Sequence, residues 1–209
     1  MLRILIVDDH AIVRKGIKQL LLEEYAGAHI EEAGDAESLV QFVTRDPWDV
    51  VLCDLNMPGR SGLDALNYIK HNFPDLPVLI MSIYPEDQYA LRVFKAGASG
   101  YLSKQSIHDE ILQAIQTVLK GRKYISPVVA ELLAEAVHGE NAKDPHQLLS
   151  DREFDIFKLL AQGKSVTEIA AQLSISSSTV STYRYRILEK MNMRSNADLT
   201  KYAIEAKLI

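Results

Sequence analysis

The sequence predicts an α/β protein in which a (βα)5 doubly wound parallel-sheet domain is followed by a small all-α domain. Short apolar, β-branched runs alternate with segments of helical spacing up to residue 121. This alternation is typical of a parallel sheet that helices cover on both faces. Polar or charged residues follow several of these runs directly, whereas residues 148–209 contain only helical patterns. A second, helical domain is therefore expected after the sheet.

The first part contains five predicted strand–helix units. The predicted strands are LRILIV (2–7), HIEEA (29–33), VVLC (50–53), VLIM (78–81) and YL (101–102). The predicted helices cover residues 11–24, 36–44, 63–73, 86–97 and 107–121. Asp35 is the expected N-cap of the second helix, and Gly97 and Gly121 are expected to end the last two. In such a sheet the functional residues lie at the carboxyl ends of the strands.

We place the first domain at residues 1–121, a linker at 122–147 and the second domain at 148–209. The linker contains a predicted helix, SPVVAELLAEAV (126–137), with Ser126 as its cap and Pro127 in its first turn. The polar segment HGENAKDPHQ (138–147) follows it. The helices predicted for the second domain cover residues 151–162, 166–173, 176–191 and 196–206.

Composition restricts the classes of protein. The single cysteine, Cys53, excludes an internal disulfide framework, and we expect it to be a buried small hydrophobe. The chain has no run of about 18 uninterrupted apolar residues and no apolar leader, so we expect a cytoplasmic protein with no membrane partner. The net charge is −5, but residues 147–209 carry nine Lys or Arg against seven Asp or Glu. This mildly basic tail is only weak evidence for a nucleic-acid partner.

Carboxylates end two of the predicted strands. Asp8 and Asp9 follow the first strand, and Asp54 follows the third. If these strands are neighbours, the three carboxylates converge and need a cation, because like charges repel. Oxygen ligands with open coordination positions favour Mg²⁺ over a calcium cage. The adjacent His10 is a poor Mg²⁺ ligand, and we expect it to start a helix and face solvent.

Three further polar residues lie at the ends of the fourth and fifth strands: Ser82 follows VLIM, Lys104 follows YLS, and Tyr101 lies three residues before that lysine. Each one alone has an ordinary explanation, as a strand-end cap, a core aromatic and a solvated charge. A hydroxyl and an ammonium beside a metal-bound carboxylate would also suit phosphoryl oxygens. Because an aspartate can be phosphorylated as an acyl phosphate, the site could be a phosphate acceptor.

On these residues, positions 1–121 resemble the receiver domain of bacterial two-component response regulators. The matching pieces are Asp8-Asp9, DLNMPG around Asp54, Ser82 in LIMS, and GYLSK ending at Lys104. One departure is Gln105, which stands where most receivers have a proline after a cis peptide bond. A milder departure is serine instead of the commoner threonine at position 82.

The resemblance implies a role for each residue. Asp54 would accept phosphate from a sensor histidine kinase. Mg²⁺ would be bound by Asp9, Asp54 and the backbone carbonyl of Asn56, with Asp8 acting mainly through water. The residues implied in phosphoryl contact and switching are Ser82, Lys104 and Tyr101, the last as the rotameric partner of the serine.

The tail contains two predicted helices, VTEIAAQL and SSSTVSTYRYRILEKM, joined by the tight turn SIS (174–176). This is the layout of a helix-turn-helix, in which the second helix enters the major groove. The plain alternative is an ordinary bundle with a solvated helix face. The residues predicted to contact double-stranded DNA are Ser178, Thr179, Ser181, Thr182, Arg184, Tyr185, Arg186 and Lys190.

Residues 149–207 resemble the LuxR-type helix-turn-helix of the NarL/FixJ response regulators, through LSDRE, GKS-x-x-EIA and S-x-x-TV. Ser181 and Tyr183 stand where many members have lysine and histidine, and TYRYR is most similar to a GacA-like subgroup. The residues placed to approach bases are Ser181, Thr182 and Tyr185, and those placed to meet phosphates are Arg184, Arg186 and Lys190.

The combined prediction is a transcription factor, not an enzyme. Phosphate at Asp54 would draw Ser82 and Tyr101 inward and change one receiver face. A homodimer would form or the tail would be released, so that two tails bind paired half-sites. One alternative is a Mg²⁺-dependent phosphatase with Asp54 as nucleophile, but Asn56 stands where such enzymes have a second aspartate. Another is a DNA-binding protein whose first domain is a phosphate-independent dimer platform.

Overall fold

The computed structural model describes residues 1–57, 61–138 and 144–209. Pro58 and Gly59 of the DLNMPG motif, and residues 139–143 of the predicted linker, lie outside the described residues. The chain divides into two compact units, and the first ends at His138. No described helix has both the length and the apolar character that crossing a membrane requires.

The first unit contains a five-stranded sheet with the order β2-β1-β3-β4-β5, and all its pairs are parallel. Its strands are β1 (Arg3–Val7), β2 (His29–Ala33), β3 (Val50–Asp54), β4 (Val78–Ser82) and β5 (Gly100–Ser103). The predicted strands are confirmed, and β3 and β4 continue through Asp54 and Ser82. Both strands are buried along their whole length, which explains their continuous apolar runs.

Helices cover both faces of this sheet. They are α1 (Ala11–Glu24), α2 (Ala36–Arg45), α3 (Gly62–Asn72), α4 (Glu86–Lys95), α5 (Ile107–Leu119) and α6 (Pro127–His138). Asp35 caps α2 as predicted, because its side chain accepts a hydrogen bond from the Ser38 amide at 2.7 Å. Gly97 and Gly121 follow their helices with φ of 98° and 72°, a conformation that glycine adopts without strain.

The strand register positions the site. In β1 and β3, Val7 pairs with Cys53. The next residues, Asp8 and Asp54, therefore lie side by side at the carboxyl edge of the sheet. One strand further, Asp54 pairs with Met81. The predicted adjacency of the first and third strands is therefore confirmed, and it follows from right-handed crossovers in a doubly wound sheet.

The first unit extends past residue 121, where the sequence analysis placed its boundary. Tyr124 forms a parallel bridge with Gly100, and the Tyr124 amide donates to the Ser99 carbonyl at 2.8 Å. Gly100 permits this approach, because a Cβ there would lie 2.7 Å from Leu79 Cδ2 and 3.0 Å from Tyr124 Cβ. Helix α6 then packs against α4. The helix predicted within the linker thus forms, and it belongs to the first unit.

The second unit is helical, as predicted. It contains a 3-10 helix (Pro145–Leu148) and the helices α7 (Asp151–Ala161), α8 (Val166–Gln172), α9 (Ser177–Lys190) and α10 (Asn196–Glu205). Capping boxes begin α7, α8 and α10. Ser174 adopts a φ of 54° in the turn between α8 and α9. A left-handed residue reverses the chain in little space, which produces the tight turn of the predicted helix-turn-helix.

An ion pair between a buried carboxylate and a partly exposed lysine joins α7 to α9. The Glu153 side chain is 4% exposed and lies 2.6 Å from Lys190 Nζ. The same carboxylate accepts from the Ser150 amide at 2.7 Å, within the capping box of α7. Burial raises the pKa of Glu153, but the hydrogen bonds from Lys190 and Ser150 outweigh it and hold the pKa below its ordinary value.

We expect Lys190→Met to destabilise the second unit by about 2 kcal/mol, because it leaves a buried carboxylate without its cation. Lys201→Met is the matched control, since Lys201 is 77% exposed and lies 3.9 Å from Glu205. Hydrogen exchange of α9 amides in the full chain measures the difference. Equal exchange in the two variants would contradict the stabilising role of the pair.

The Glu153–Lys190 pair predicts that the stability of the second unit depends on pH. Because the folded-state pKa of Glu153 is lowered, its stabilisation is complete above the unfolded value, about 4.3, and is lost as the pH falls through the folded value. Glu153→Gln should therefore reduce the acid sensitivity of the second unit, measured as α9 exchange while the pH falls from about 5 to about 3. An unchanged acid sensitivity would contradict the assignment.

Candidate phosphoryl-acceptor site and nucleic-acid interface

Two buried carboxylates share one ammonium at the carboxyl edge of the sheet. Asp8 is fully buried and Asp54 is 2% exposed. Lys104 Nζ lies 2.6 Å from Asp8 Oδ2 and 3.0 Å from Asp54 Oδ2. Burial lowers the pKa of Lys104, but its hydrogen bonds to Asp8 and Asp54 and their charges outweigh this and raise it. The structure therefore brings together the three residues, and the lysine stays charged.

Asp54 differs from an ordinary carboxylate. Burial raises its pKa to about 6, and the nearby Asp8 charge acts in the same direction, while the Lys104 ammonium opposes both. The Asn56 amide donates to Asp54 Oδ1 at 3.3 Å and also favours the ionised form. Asp54 is thus a carboxylate that is poorly solvated and still ionised in most molecules at neutral pH, as a nucleophile must be.

A metal ion fits beside this carboxylate. Ligand atoms of Asp8, Asp9, His10 and Asp54 all lie within 4.8 Å of one another. Asn56 Oδ1 is buried next to them and accepts no hydrogen bond from the described residues. Crowded carboxylates and an unpartnered amide oxygen are the hard oxygen donors that Mg²⁺ prefers. The residues present therefore fit the predicted Mg²⁺.

His10 begins α1 and faces solvent, as expected, with its side chain 63% exposed. It also contacts the acidic pair, since Nδ1 lies 2.6 Å from Asp9 Oδ1 and 3.2 Å from Asp8 Oδ1. Its backbone amide donates to Asp8 Oδ1 at 2.8 Å. His10 thereby orients both carboxylates, a role that the sequence did not indicate.

Hydrogen bonds join the hydroxyl residues of the site. Ser82 is fully buried, and its Oγ accepts from the Tyr84 amide at 3.0 Å. Tyr101 is 1% exposed, and its hydroxyl donates to the Tyr84 carbonyl at 2.8 Å and is bonded to Ser82. The Lys104 amide donates to the Ser82 carbonyl at 2.7 Å. A shift of Ser82 would therefore change its hydrogen bonds with Tyr84, Tyr101 and Lys104.

The Lys104–Gln105 peptide bond is trans, as are the other peptide bonds of the described residues. The Gln105 amide donates to Ser103 Oγ at 3.3 Å. The loop thus accommodates a non-proline residue without the cis bond of the receiver pattern. Cys53 is buried, as expected, and burial raises the pKa of its thiol, so it is an unreactive packing residue.

Gly62 is a site residue that the sequence analysis missed. It begins α3 so close to the acceptor that an added Cβ would lie 1.9 Å from the Asp54 carbonyl oxygen. The Gly62 amide donates to the Leu55 carbonyl at 2.9 Å, and Ser61 and Asp64 form a capping box around it. The Ser-x-x-Asp spacing was a readable signal for this helix start, although not for the close approach.

We expect Gly62→Ala to destabilise the first unit by about 2 kcal/mol and to slow phosphate uptake, because the new methyl group must displace the Asp54 backbone. Gly16→Ala is the control: a Cβ at Gly16, inside α1, meets nothing within 4 Å. That substitution should stabilise by up to about 1 kcal/mol. Urea denaturation of the full chain compares them, and equal stabilities would refute the steric account.

The predicted recognition helix, α9, buries Val180 and Ile187 and presents its other face to solvent. Tyr185 lies on this solvent-facing side and is 67% exposed. Thr182 Oγ1 donates to the Ser178 carbonyl at 3.0 Å. The predicted DNA-contacting residues that are exposed are Ser178, Thr179, Ser181, Thr182, Tyr185, Arg186 and Lys190.

The side chains of two predicted contacts, Arg184 and Lys190, are bonded to other helices of the second unit. Arg184 is half-buried on the side of Val180, and its Nε donates to Asn196 Oδ1 at 2.7 Å. Lys190 is paired with Glu153. No periodic pattern in the sequence could have indicated Asn196 or Glu153, because both partners lie on other helices. Arg186 is a further exposed cation of α9.

Known proteins resemble both units. The family described as "Response regulator receiver domain" matches residues 4–116, and "Bacterial regulatory proteins, luxR family" matches residues 147–203. Response regulator UvrY of Escherichia coli K12 is 36% identical over 205 residues, covering 98% of this chain and 94% of that protein. Response regulator GacA of Pseudomonas aeruginosa is 35% identical over 210 residues, covering 100% and 98%.

A solved response regulator also resembles this chain over nearly its whole length. RcsB of Salmonella enterica serovar Typhimurium, bound to the P1flhDC promoter with the phosphomimetic BeF3⁻, has a TM-score of 0.64 and 27% identity. The similarity covers 96% of this chain and 97% of that one. With the paired carboxylates at the sheet edge of the first unit and the helix-turn-helix in the second unit, these similarities show that the chain belongs to the NarL/FixJ family of two-component response regulators, which join a receiver domain to a LuxR-type DNA-binding domain.

Proposed function

We propose that Asp54 is the phosphoryl acceptor of a DNA-binding transcription regulator and that a sensor histidine kinase supplies the phosphate. The observation that carries this proposal is a nearly buried carboxylate, at the end of a central strand, held 3.0 Å from the ammonium of Lys104. The named relatives UvrY and GacA are response regulators, and RcsB has been solved on a promoter with a phosphomimetic.

The proposed transfer is a displacement at phosphorus. An Asp54 carboxylate oxygen attacks the phosphorus of a phosphohistidine, an acyl phosphate forms, and the P–N bond breaks with its electron pair going to the imidazole of the donor. Lys104 Nζ stands between Asp8 and Asp54 and would pair with a phosphoryl oxygen. The Ser82 hydroxyl would donate to another oxygen.

Mg²⁺ would be held by Asp9, Asp54 and the backbone carbonyl of Asn56, with Asp8 acting mainly through water. When bound, Mg²⁺ supplies positive charge that neutralises phosphoryl oxygens and favours ionised carboxylates. His10 would keep Asp8 and Asp9 oriented through the contacts described above.

The exposed face of α9 would enter the major groove of double-stranded DNA. Ser181, Thr182 and Tyr185 would approach bases, and Arg186 would meet a phosphate. Two chains, associated as a homodimer on activation, would bind paired half-sites. Arg184 and Lys190 stay predicted phosphate contacts, although each already has a partner within the domain.

A phosphate-accepting Asp54 predicts one phosphate on the parent and none on Asp54→Asn after treatment with acetyl phosphate and Mg²⁺. Asp75→Asn is the matched control, because it removes an exposed carboxylate from the same domain. Intact mass measures the product, and gel filtration should show a shift toward dimer in the parent and the control. Phosphate on the Asp54 variant would refute the assignment, and turnover of a small phosphomonoester would revive the phosphatase alternative.

A phosphate-contacting Arg186 predicts a change in the salt dependence of DNA binding. For Arg186→Ala the slope of log Kobs against log salt should fall in magnitude by about 1 on a duplex of mixed sequence. Lys201→Ala, which removes a 77% exposed cation from α10, should leave the slope unchanged. Fluorescence anisotropy with the full chain measures both slopes. Equal slopes in the two variants would place Arg186 away from the DNA.

A further inference from the structure

Ser126 connects the last helix of the first unit to α4. Its hydroxyl donates to Glu86 Oε2 and accepts a hydrogen bond from the Val129 amide at 3.2 Å. Its carbonyl accepts from the Ala130 amide at 2.9 Å. Ser126 is therefore the N-cap of α6, and the carboxylate that fixes its hydroxyl is the first residue of α4. A hydrogen bond to a carboxylate is stronger than one between neutral groups.

Helix α4 begins directly after the short loop that follows Ser82, the last residue of β4. Within this loop the Tyr84 amide donates to Ser82 Oγ, and the Tyr84 carbonyl accepts from the Tyr101 hydroxyl. The Tyr84 ring stacks on the ring of Tyr89 of α4, with centroids 4.9 Å apart and planes 15° apart. Both the backbone and the ring of Tyr84 thus tie Ser82 to the first turns of α4.

Helix α6 also packs against α4 beside this hydrogen bond. Val129 is 1% exposed and packs inward, whereas Val128 is 50% exposed. Lys123, just before α6, lies 5.6 Å from the centre of the Phe94 ring of α4. Helix α6 is also the last helix before the chain passes into the second unit. A change at its N-cap would alter the segment to which the DNA-binding domain is attached.

We propose that Ser126 couples this linker helix to the phosphorylation switch through Glu86, an inference that rests on the proposed function of Asp54. The Ser82 hydroxyl cannot keep its present bonds unchanged and also turn to a phosphoryl oxygen. A shift of Ser82 moves the Tyr84 backbone and the start of α4, and Glu86 moves with them. The N-cap of α6 then gains or loses its carboxylate partner, so the stability of α6 follows the state of the receiver.

The first test compares two neighbouring carboxylates on α4. Glu86→Gln weakens the acceptor of the Ser126 hydroxyl, whereas Asp87→Asn makes the same chemical change one residue later, at an exposed position in the same helical turn. Hydrogen exchange of α6 amides 128–134 is measured in the full chain. We expect exchange about fivefold faster in Glu86→Gln and in Ser126→Ala, and unchanged in Asp87→Asn. Equal exchange in the Glu86 and Asp87 variants would overturn the proposal.

The second test adds Mg²⁺ and beryllofluoride as a phosphoryl mimic. In the parent and in Asp87→Asn, exchange should change at residues 82–84 and by at least about threefold in α6. In Glu86→Gln the change at residues 82–84 should persist and the change in α6 should be lost. If residues 82–84 of Glu86→Gln respond and α6 does not, the Glu86–Ser126 hydrogen bond transmits the change. A contact that only stabilises α6 would leave the response of α6 to beryllofluoride intact.

The outcomes distinguish the two proposals. A response at residues 82–84 of the parent without a response in α6 would overturn the coupling alone, as would an α6 response that persists in Glu86→Gln. Absence of any response at residues 82–84, together with no phosphate uptake from acetyl phosphate, would overturn the proposed function and the coupling with it.

Discussion

The structure depends on one electrostatic arrangement, the sharing of the Lys104 ammonium by Asp8 and Asp54. Two carboxylates that leave neighbouring strands in register would repel strongly in a buried site, and an uncompensated buried charge is severely destabilising. The lysine relieves this repulsion and keeps Asp54 ionised at neutral pH although burial raises its pKa to about 6. The parallel register of β1 and β3 brings the two carboxylates together, and Lys104, which follows β5, supplies the compensating positive charge.

Through its hydrogen bonds, Lys104 also connects Asp54 to residues of β4 and β5. Its amide is bonded to the Ser82 carbonyl, and Ser82 is bonded to Tyr84, whose carbonyl holds the hydroxyl of Tyr101. A change in charge at Asp54 therefore meets a continuous set of hydrogen bonds that leads to the start of α4. Helix α6 packs on α4 within the same unit, so these hydrogen bonds lead to α6. This helix is the part of the first unit that directly precedes the second unit in the sequence.

Much of the fold and of the receiver site could be predicted from the sequence, because both follow from local patterns. Buried strands appear as apolar runs, and residues at strand ends meet when the strands are neighbours, so the sequence predicts that Asp8, Asp54 and Lys104 lie at one edge of the sheet. The close approach of Gly62 to Asp54, and the partners of Arg184 and Lys190, could not be predicted. These contacts depend on how separate strands and helices pack together, and they leave no periodic signal. For the same reason the extent of the first unit, which depends on how Tyr124 and α6 pack, exceeds the predicted boundary.

The central claim is that Asp54 itself carries the phosphoryl group, and direct chemical localisation tests it without any substitution. Borohydride reduces an acyl phosphate to an alcohol, so the parent chain, phosphorylated with Mg²⁺ and acetyl phosphate and then reduced, should contain homoserine at position 54. Peptide mass spectrometry locates the product. Homoserine at position 54 and at no other aspartate is the result we expect, whereas reduction at Asp8 or Asp9, or phosphorylation without a reducible aspartate, would contradict the account.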